Sequence, residues 1–124
     1  MRCRSNDLEE EMTAYAIALL RETRFGPEIR EYLQRVDATL APFEGKYRVH
    51  GGACETMEGT WSGDVVVVEF PSMALAKAWY DSPAYAAIRP LRTEHTQGDL
   101  LLVQGVAEGH RGADLLARLG VEGG

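Results

Sequence analysis

The order in which apolar residues change their spacing constrains this chain more than any single motif. Across residues 13–20, Tyr15, Ile17 and Leu19 alternate with Ala14, Ala16 and Ala18, the two-residue repeat of a strand whose second face carries only small side chains. Such a face calls for something packed closely against it. Gly26 and Pro27 break the repeat. Ile29, Tyr32, Leu33, Val36 and Leu40 then recur at helical spacing, separated by Glu28, Arg30, Glu31, Gln34 and Arg35, which predicts an amphipathic helix ending near Pro42. A second strand is predicted over residues 46–51, with Tyr47 and Val49 on one face and Lys46, Arg48 and His50 on the other. A loop containing Gly51, Gly52, Gly59 and Gly63 follows. Residues 64–70 are apolar on both faces apart from Glu69, as expected of a strand inside a sheet. Ser72 is placed to cap a helix starting at Met73, with Met73, Ala76, Trp79 and Tyr80 as its inner stripe. Ser82-Pro83 restarts a helix that carries Tyr85, Ile88 and Leu91 or Arg92 on one side, and Pro90 is expected to kink or end it. Residues 99–106 supply a last strand, Leu100 and Leu102 opposing Leu101 and Val103.

Strand, helix, strand, strand, helix, strand is the split βαβ order, so the predicted class is α+β: a ferredoxin-like βαββαβ sandwich with a four-stranded antiparallel sheet and helices on one face. Two helices cover only that face. The first, third and last strands are nevertheless apolar on both, and leaving the second face wet would exceed the roughly 300–600 Å² of the largest patch on a typical monomer. An identical sheet in a two-fold homodimer is the simplest cover, giving a dimeric α/β barrel.

A chain of 124 residues has room for one core of ordinary size, assigned to residues 13–106. Residues 1–12 read as a disordered leader, with Met12 a candidate start. Residues 107–124 read as a glycine-rich tail in which residues 113–119 form a short helix. No apolar run approaches the roughly 20 residues that span a bilayer, and Asp7 and Glu9 to Glu11 stand where a signal peptide needs apolar residues. Cys3 and Cys54 are too few for a disulfide framework, which fits a cytoplasmic location. With a net charge of −6 and no basic cluster, nucleic acid and membrane surfaces are not expected partners.

Five stretches carry a family resemblance: residues 46–52 (Lys-Tyr-Arg-Val-His-Gly-Gly), 58–61 (Glu-Gly-Thr-Trp), 66–72 (Val-Val-Val-Glu-Phe-Pro-Ser), 76–85 (Ala-Lys-Ala-Trp-Tyr-Asp-Ser-Pro-Ala-Tyr) and 88–92 (Ile-Arg-Pro-Leu-Arg). In order and spacing they resemble the bacterial family known as domain of unknown function 1330, over about residues 13–106. The resemblance implies a dimeric α/β barrel of two ferredoxin-like sheets. It implies no particular chemistry, because similar folds serve cofactor-free monooxygenases, lactone isomerases, haem-handling enzymes and ligand sensors.

Candidate site residues follow from the pattern. His50, sharing a strand face with Arg48, is the candidate acid–base group if that face lines the barrel. Glu69, the lone charge in a valine-rich strand, is its candidate partner, or else the ion-pair mate of Arg48 or of a helix arginine. Arg89 and Arg92, three apart, would face one way on a helix and clamp an anion, unless they pair with Glu94 or Asp81. Arg48, Trp79, Tyr80 and Tyr85 complete the candidate substrate-binding set, the aromatics serving either as pocket walls or as core. Trp61 reads as a packing or lid residue. His50 and Cys54 stand roughly 13 Å apart on an extended chain, too far for one metal, so no metal site is expected. Gly59-Thr-Trp-Ser-Gly63 carries its serine one place too late for a nucleophile elbow, and neither a dinucleotide fingerprint nor a phosphate loop occurs, so no cofactor is expected. The sequence thus predicts a homodimer with a pocket for a small organic ligand. The pocket serves either isomerase-like or cofactor-independent oxygenase-like chemistry, or a ligand-sensing or interaction module without catalysis.

Overall fold

The structure is a computed structural model that describes residues 12–120. The expected leader, Met12 apart, lies outside the described residues, as do residues 121–124. The elements run β1 (Ala14–Thr23), α1 (Pro27–Leu40), β2 (Lys46–His50), β3 (Asp64–Phe70), α2 (Met73–Asp81), α3 (Pro83–Thr93) and β4 (Thr96–Gln104), followed by a short α4 (Leu115–Arg118). The four strands form one antiparallel sheet in the order β2-β3-β1-β4. This is the expected α+β, ferredoxin-like arrangement, with the most apolar strands, β1 and β3, at the centre.

Register sorts the side chains. Ala14, Ala16 and Ala18 of β1 stand opposite Phe70, Val68 and Val66 of β3 and Gln104, Leu102 and Leu100 of β4, and this face carries the helices. Val36 and Leu40 of α1, Ala76 and Trp79 of α2, and Tyr85 and Ile88 of α3 complete the core, with Tyr85, Phe70 and Ile88 fully enclosed. Burying each such side chain contributes roughly 1.5–3 kcal/mol. Gly45 is needed here, since a Cβ would fall 2.8 Å from Leu40 Cδ2 and 2.9 Å from Phe70 Cε1. The other face presents Ile17 opposite Val67 and Leu101, and Tyr15 opposite Glu69 and Val103. Leu101 and Val103 are 46% and 41% exposed, so an apolar sheet face stands open in the single chain.

Serines set the helix joints. Ser72 Oγ accepts from the Leu75 amide at 3.1 Å and caps α2. Ser82 Oγ accepts from the Tyr85 amide at 3.2 Å while donating to the Trp79 carbonyl at 2.8 Å, so one hydroxyl fixes both ends of the α2–α3 corner. That corner places Trp79 beside Tyr85, with ring centroids 4.2 Å apart.

Apart from element ends that shift by one to three residues, three details differ from the sequence expectation. Pro90 neither ends nor breaks α3, which continues to Thr93. A proline there removes one amide donor close to the helix end, and the Glu94 amide still closes the last turn onto the Pro90 carbonyl at 3.0 Å. The alanine face of β1 is closely packed only at Ala14, while Ala16 and Ala18 line a cavity. Finally, β2 slips register against β3 between Tyr47 and Val49. Tyr47 stands opposite Val68, and Val49 opposite Val67, so the extra residue, Arg48, forms a bulge on this edge strand.

Candidate functional site

The bulge decides which face His50 serves. Strict alternation puts His50 with Arg48, away from Tyr47. The inserted residue reverses the phase, so His50 stands opposite Val66 on the helix-bearing face and stacks on Tyr47, with rings 4.2 Å apart and 8° from parallel. Glu69 belongs to the opposite, open face, where its Oε1 accepts from Arg48 Nε at 2.8 Å. The expected grouping of His50 with Arg48 and Glu69 is therefore corrected. The sheet separates His50 from the Arg48–Glu69 pair, and Glu69 takes the ion-pair alternative.

His50 rims a cavity of about 290 Å³ between α1 and the sheet. Its floor is Ala16, Ala18, Val66, Val68 and Leu100, and α1 contributes Ile29, Tyr32 and Val36 to its roof. The exposed lining residues Phe25, Leu33, His50 and Asp64 mark the mouth, and the buried Trp79 and Arg92 mark the inner end. The cavity exists because the sheet presents alanine where a larger residue would have filled the gap beneath α1.

At the inner end lies a polar cluster in otherwise apolar surroundings. The Tyr32 and Tyr85 hydroxyls are 2.8 Å apart, and Arg92 Nε donates to the Tyr85 hydroxyl at 3.3 Å. The Arg92 guanidinium also sits 5.9 Å from the Tyr32 ring centroid. Only 9% of Arg92 is exposed, yet among the described residues it has no ion pair with a carboxylate. Burial works to lower its pKa, but Tyr85 and Tyr32 together hold it above the ordinary value, so the group stays charged. Burial, reinforced by Tyr85, pushes the Tyr32 phenol far above its usual range, and burial aided by Asp37 pushes Tyr47 up to about 12. Both phenols are neutral at ordinary pH and supply no counter-charge.

The remaining candidates divide. Trp79 forms cavity wall and core at once, its indole donating to Thr39 Oγ1 at 3.0 Å. Tyr85 stands behind Arg92 as its hydrogen-bond partner. Tyr80 and Arg89 belong elsewhere: the Arg89 guanidinium lies 4.7 Å from the Tyr80 ring centroid and donates to the Tyr80 carbonyl at 3.1 Å. Arg89 and Arg92 thus take different partners and form no clamp. Trp61, in the loop between β2 and β3, has a buried indole N–H without a partner among the described residues. Sequence reasoning missed Tyr32 and Tyr47, counting them with the apolar faces. Their hydroxyls were the available signal, because a tyrosine on an inward stripe must place its O–H somewhere.

The family model for domain of unknown function DUF1330 matches residues 13–106. No curated protein matches the chain. Among solved structures, a protein of unknown function from Rhodopseudomonas palustris is similar, with a TM-score of 0.59 at 16% identity over 86% of this chain and 92% of that one. A dimeric ferredoxin-like protein of unknown function from Jannaschia sp. CCS1 has a TM-score of 0.59 at 15% identity, over 77% and 99%. A hydroxynitrile lyase from Passiflora edulis has a TM-score of 0.60 at 10% identity, over 82% and 99%. At these identities the likeness is one of fold.

Proposed function

The chain belongs to the DUF1330 family, and we propose that it is a homodimer binding one small organic molecule per subunit in the cavity between α1 and the sheet. The observation that carries this reading is the cavity itself. Protein interiors are close-packed, and a void of about 290 Å³ with an open mouth costs dispersion contacts that a merely structural core would recover by substituting Ala16 or Ala18. Its size is near the lower end of small-molecule sites, about twice that of an engineered apolar cavity of about 150 Å³ that admits benzene.

Two-fold pairing through the open sheet face is supported by the exposed Leu101 and Val103 beside Ile17 and Val67, and by the dimeric state described for the Jannaschia protein. Because His50 and Glu69 lie across the sheet from each other, the geometry favours ligand binding over acid–base catalysis by that pair. The test uses a neutral probe. 2-Naphthamide should bind with one site per subunit by calorimetry, and Ala18→Phe, which fills the floor of the cavity, should abolish binding while the circular dichroism stays native. Unchanged binding to a folded Ala18→Phe variant would move the site out of this cavity.

A further inference from the structure

Arg92 of α3 touches Tyr85 of the same helix and Tyr32 of α1, and neither contact calls for a charge at this position. A basic residue in the last turn of a helix is favourable to the helix dipole, but an exposed arginine serves that purpose equally well. Here the guanidinium is instead withdrawn from water, and buried charges are ordinarily paired. What the fold supplies is a hydrogen bond from Nε to the Tyr85 hydroxyl and a second contact with Tyr32, over whose ring the guanidinium sits. Neither is a carboxylate. Asp64, the one carboxylate residue among the described residues that line the cavity, is exposed and forms no ion pair with Arg92. Among the described residues the Arg92 guanidinium is therefore the one formal charge at the inner end of an apolar chamber.

Resting on the reading of this cavity as a binding site, we infer that its ligand is an organic monocarboxylate, the carboxylate meeting Arg92 at the inner end and an apolar body filling the space above Ala16 and Ala18. One guanidinium matches one negative charge and offers a planar donor fork to a planar acceptor. The Tyr85 hydroxyl, which accepts from Arg92 and lies 2.8 Å from the Tyr32 hydroxyl, holds the guanidinium in place. A phosphate dianion would bring twice the charge with no second cation to meet it. His50 and Tyr47, stacked at the mouth, would cover the outer end of the apolar body. The protein's net charge of −6 opposes anion binding in general, so selectivity for an anion has to come from the site.

The experiment compares 2-naphthoate with its neutral isostere 2-naphthamide and with 2-naphthyl phosphate, by calorimetry on the full chain at neutral pH. 2-Naphthoate should bind roughly 10- to 100-fold more tightly than 2-naphthamide, the range of a charge-assisted hydrogen bond. Arg92→Met should remove that preference, bringing the two affinities within about threefold of each other, and Arg92→Lys should retain part of it. Equal binding of the two probes to the wild-type protein overturns the carboxylate assignment and leaves the cavity reading intact, a result that needs no variant to fold. Tighter binding of 2-naphthyl phosphate than of 2-naphthoate also overturns it. Failure of all three probes to bind overturns both readings.

Discussion

Replacing Arg92 by methionine separates a binding residue from a structural one on stability alone. The substitution keeps a similar side-chain length and removes the charge. What is lost is the hydrogen bond to Tyr85, roughly 1.5–3 kcal/mol for a charged donor, and the partial stacking on Tyr32, about 0.5–1 kcal/mol at 5.9 Å. The Tyr85 hydroxyl is not orphaned, because Tyr32 remains 2.8 Å away. What is gained is release from desolvation, which for a buried ion without a counter-charge is several kcal/mol. The opposing contributions nearly cancel, so Arg92→Met should change the unfolding free energy by no more than about 1 kcal/mol downward and up to about 2 kcal/mol upward. For a chain of this length that corresponds to roughly 3–6 °C in Tm per kcal/mol. Urea denaturation of both proteins at equal concentration is the assay, since a dimer's stability depends on concentration. A loss greater than about 3 kcal/mol would show that Arg92 holds α3 against α1 and that its burial needs no ligand.

Three further outcomes are expected. Ile17→Lys, at the centre of the open sheet face, should convert a dimer at micromolar concentration into a monomer by sedimentation equilibrium; a persistent dimer would place the interface elsewhere. Gly98→Ala should cost more than about 2 kcal/mol in urea denaturation, since its Cβ would fall 2.2 Å from the Leu19 carbonyl oxygen, and a neutral effect would mean that β4 is held loosely. Stability should fall as pH rises above 10, because Tyr32 and Tyr47 ionise in the unfolded chain near their ordinary pKa but only at higher pH when folded. The stabilising difference is complete below pH 10 and is lost through about 12 for Tyr47, and Tyr32→Phe should flatten the decline.

The layered architecture was legible because each strand of the core announces itself locally. The alternation around Ile17, the break at Gly26-Pro27, the valine run of β3 and the serines before α2 and α3 fix element order, and element order fixes the sheet. The open face was legible for the same reason, since Val67 and Leu101 sit in strands that two helices cannot cover twice. The site was not. Lys46-Tyr-Arg-Val-His50 alternates perfectly in the sequence, and no residue type marks the bulge at Arg48 that turns His50 onto the helix-bearing face. An edge strand tolerates such a slip because only one neighbour constrains it. Arg89 and Arg92 have the spacing of a clamp, but which partner each meets depends on the α2–α3 corner that brings Tyr80 to Arg89 and on the packing of α1, distant in sequence, that brings Tyr32 to Arg92. The alanines of β1 were visible, and the same small side chains that suggest tight packing make the floor of a cavity when the helix above stands off.

The proposed ligand site lies between α1 and the sheet rather than between the two sheets of a dimer. A crystal structure of the protein grown with 2-naphthoate tests it most directly. The ring system should lie above Ala16 and Ala18, with both carboxylate oxygens directed at the Arg92 guanidinium. Density for the ring system against Ile17, Val67 and Leu101 on the open face, with the chamber beneath α1 unfilled, would contradict it.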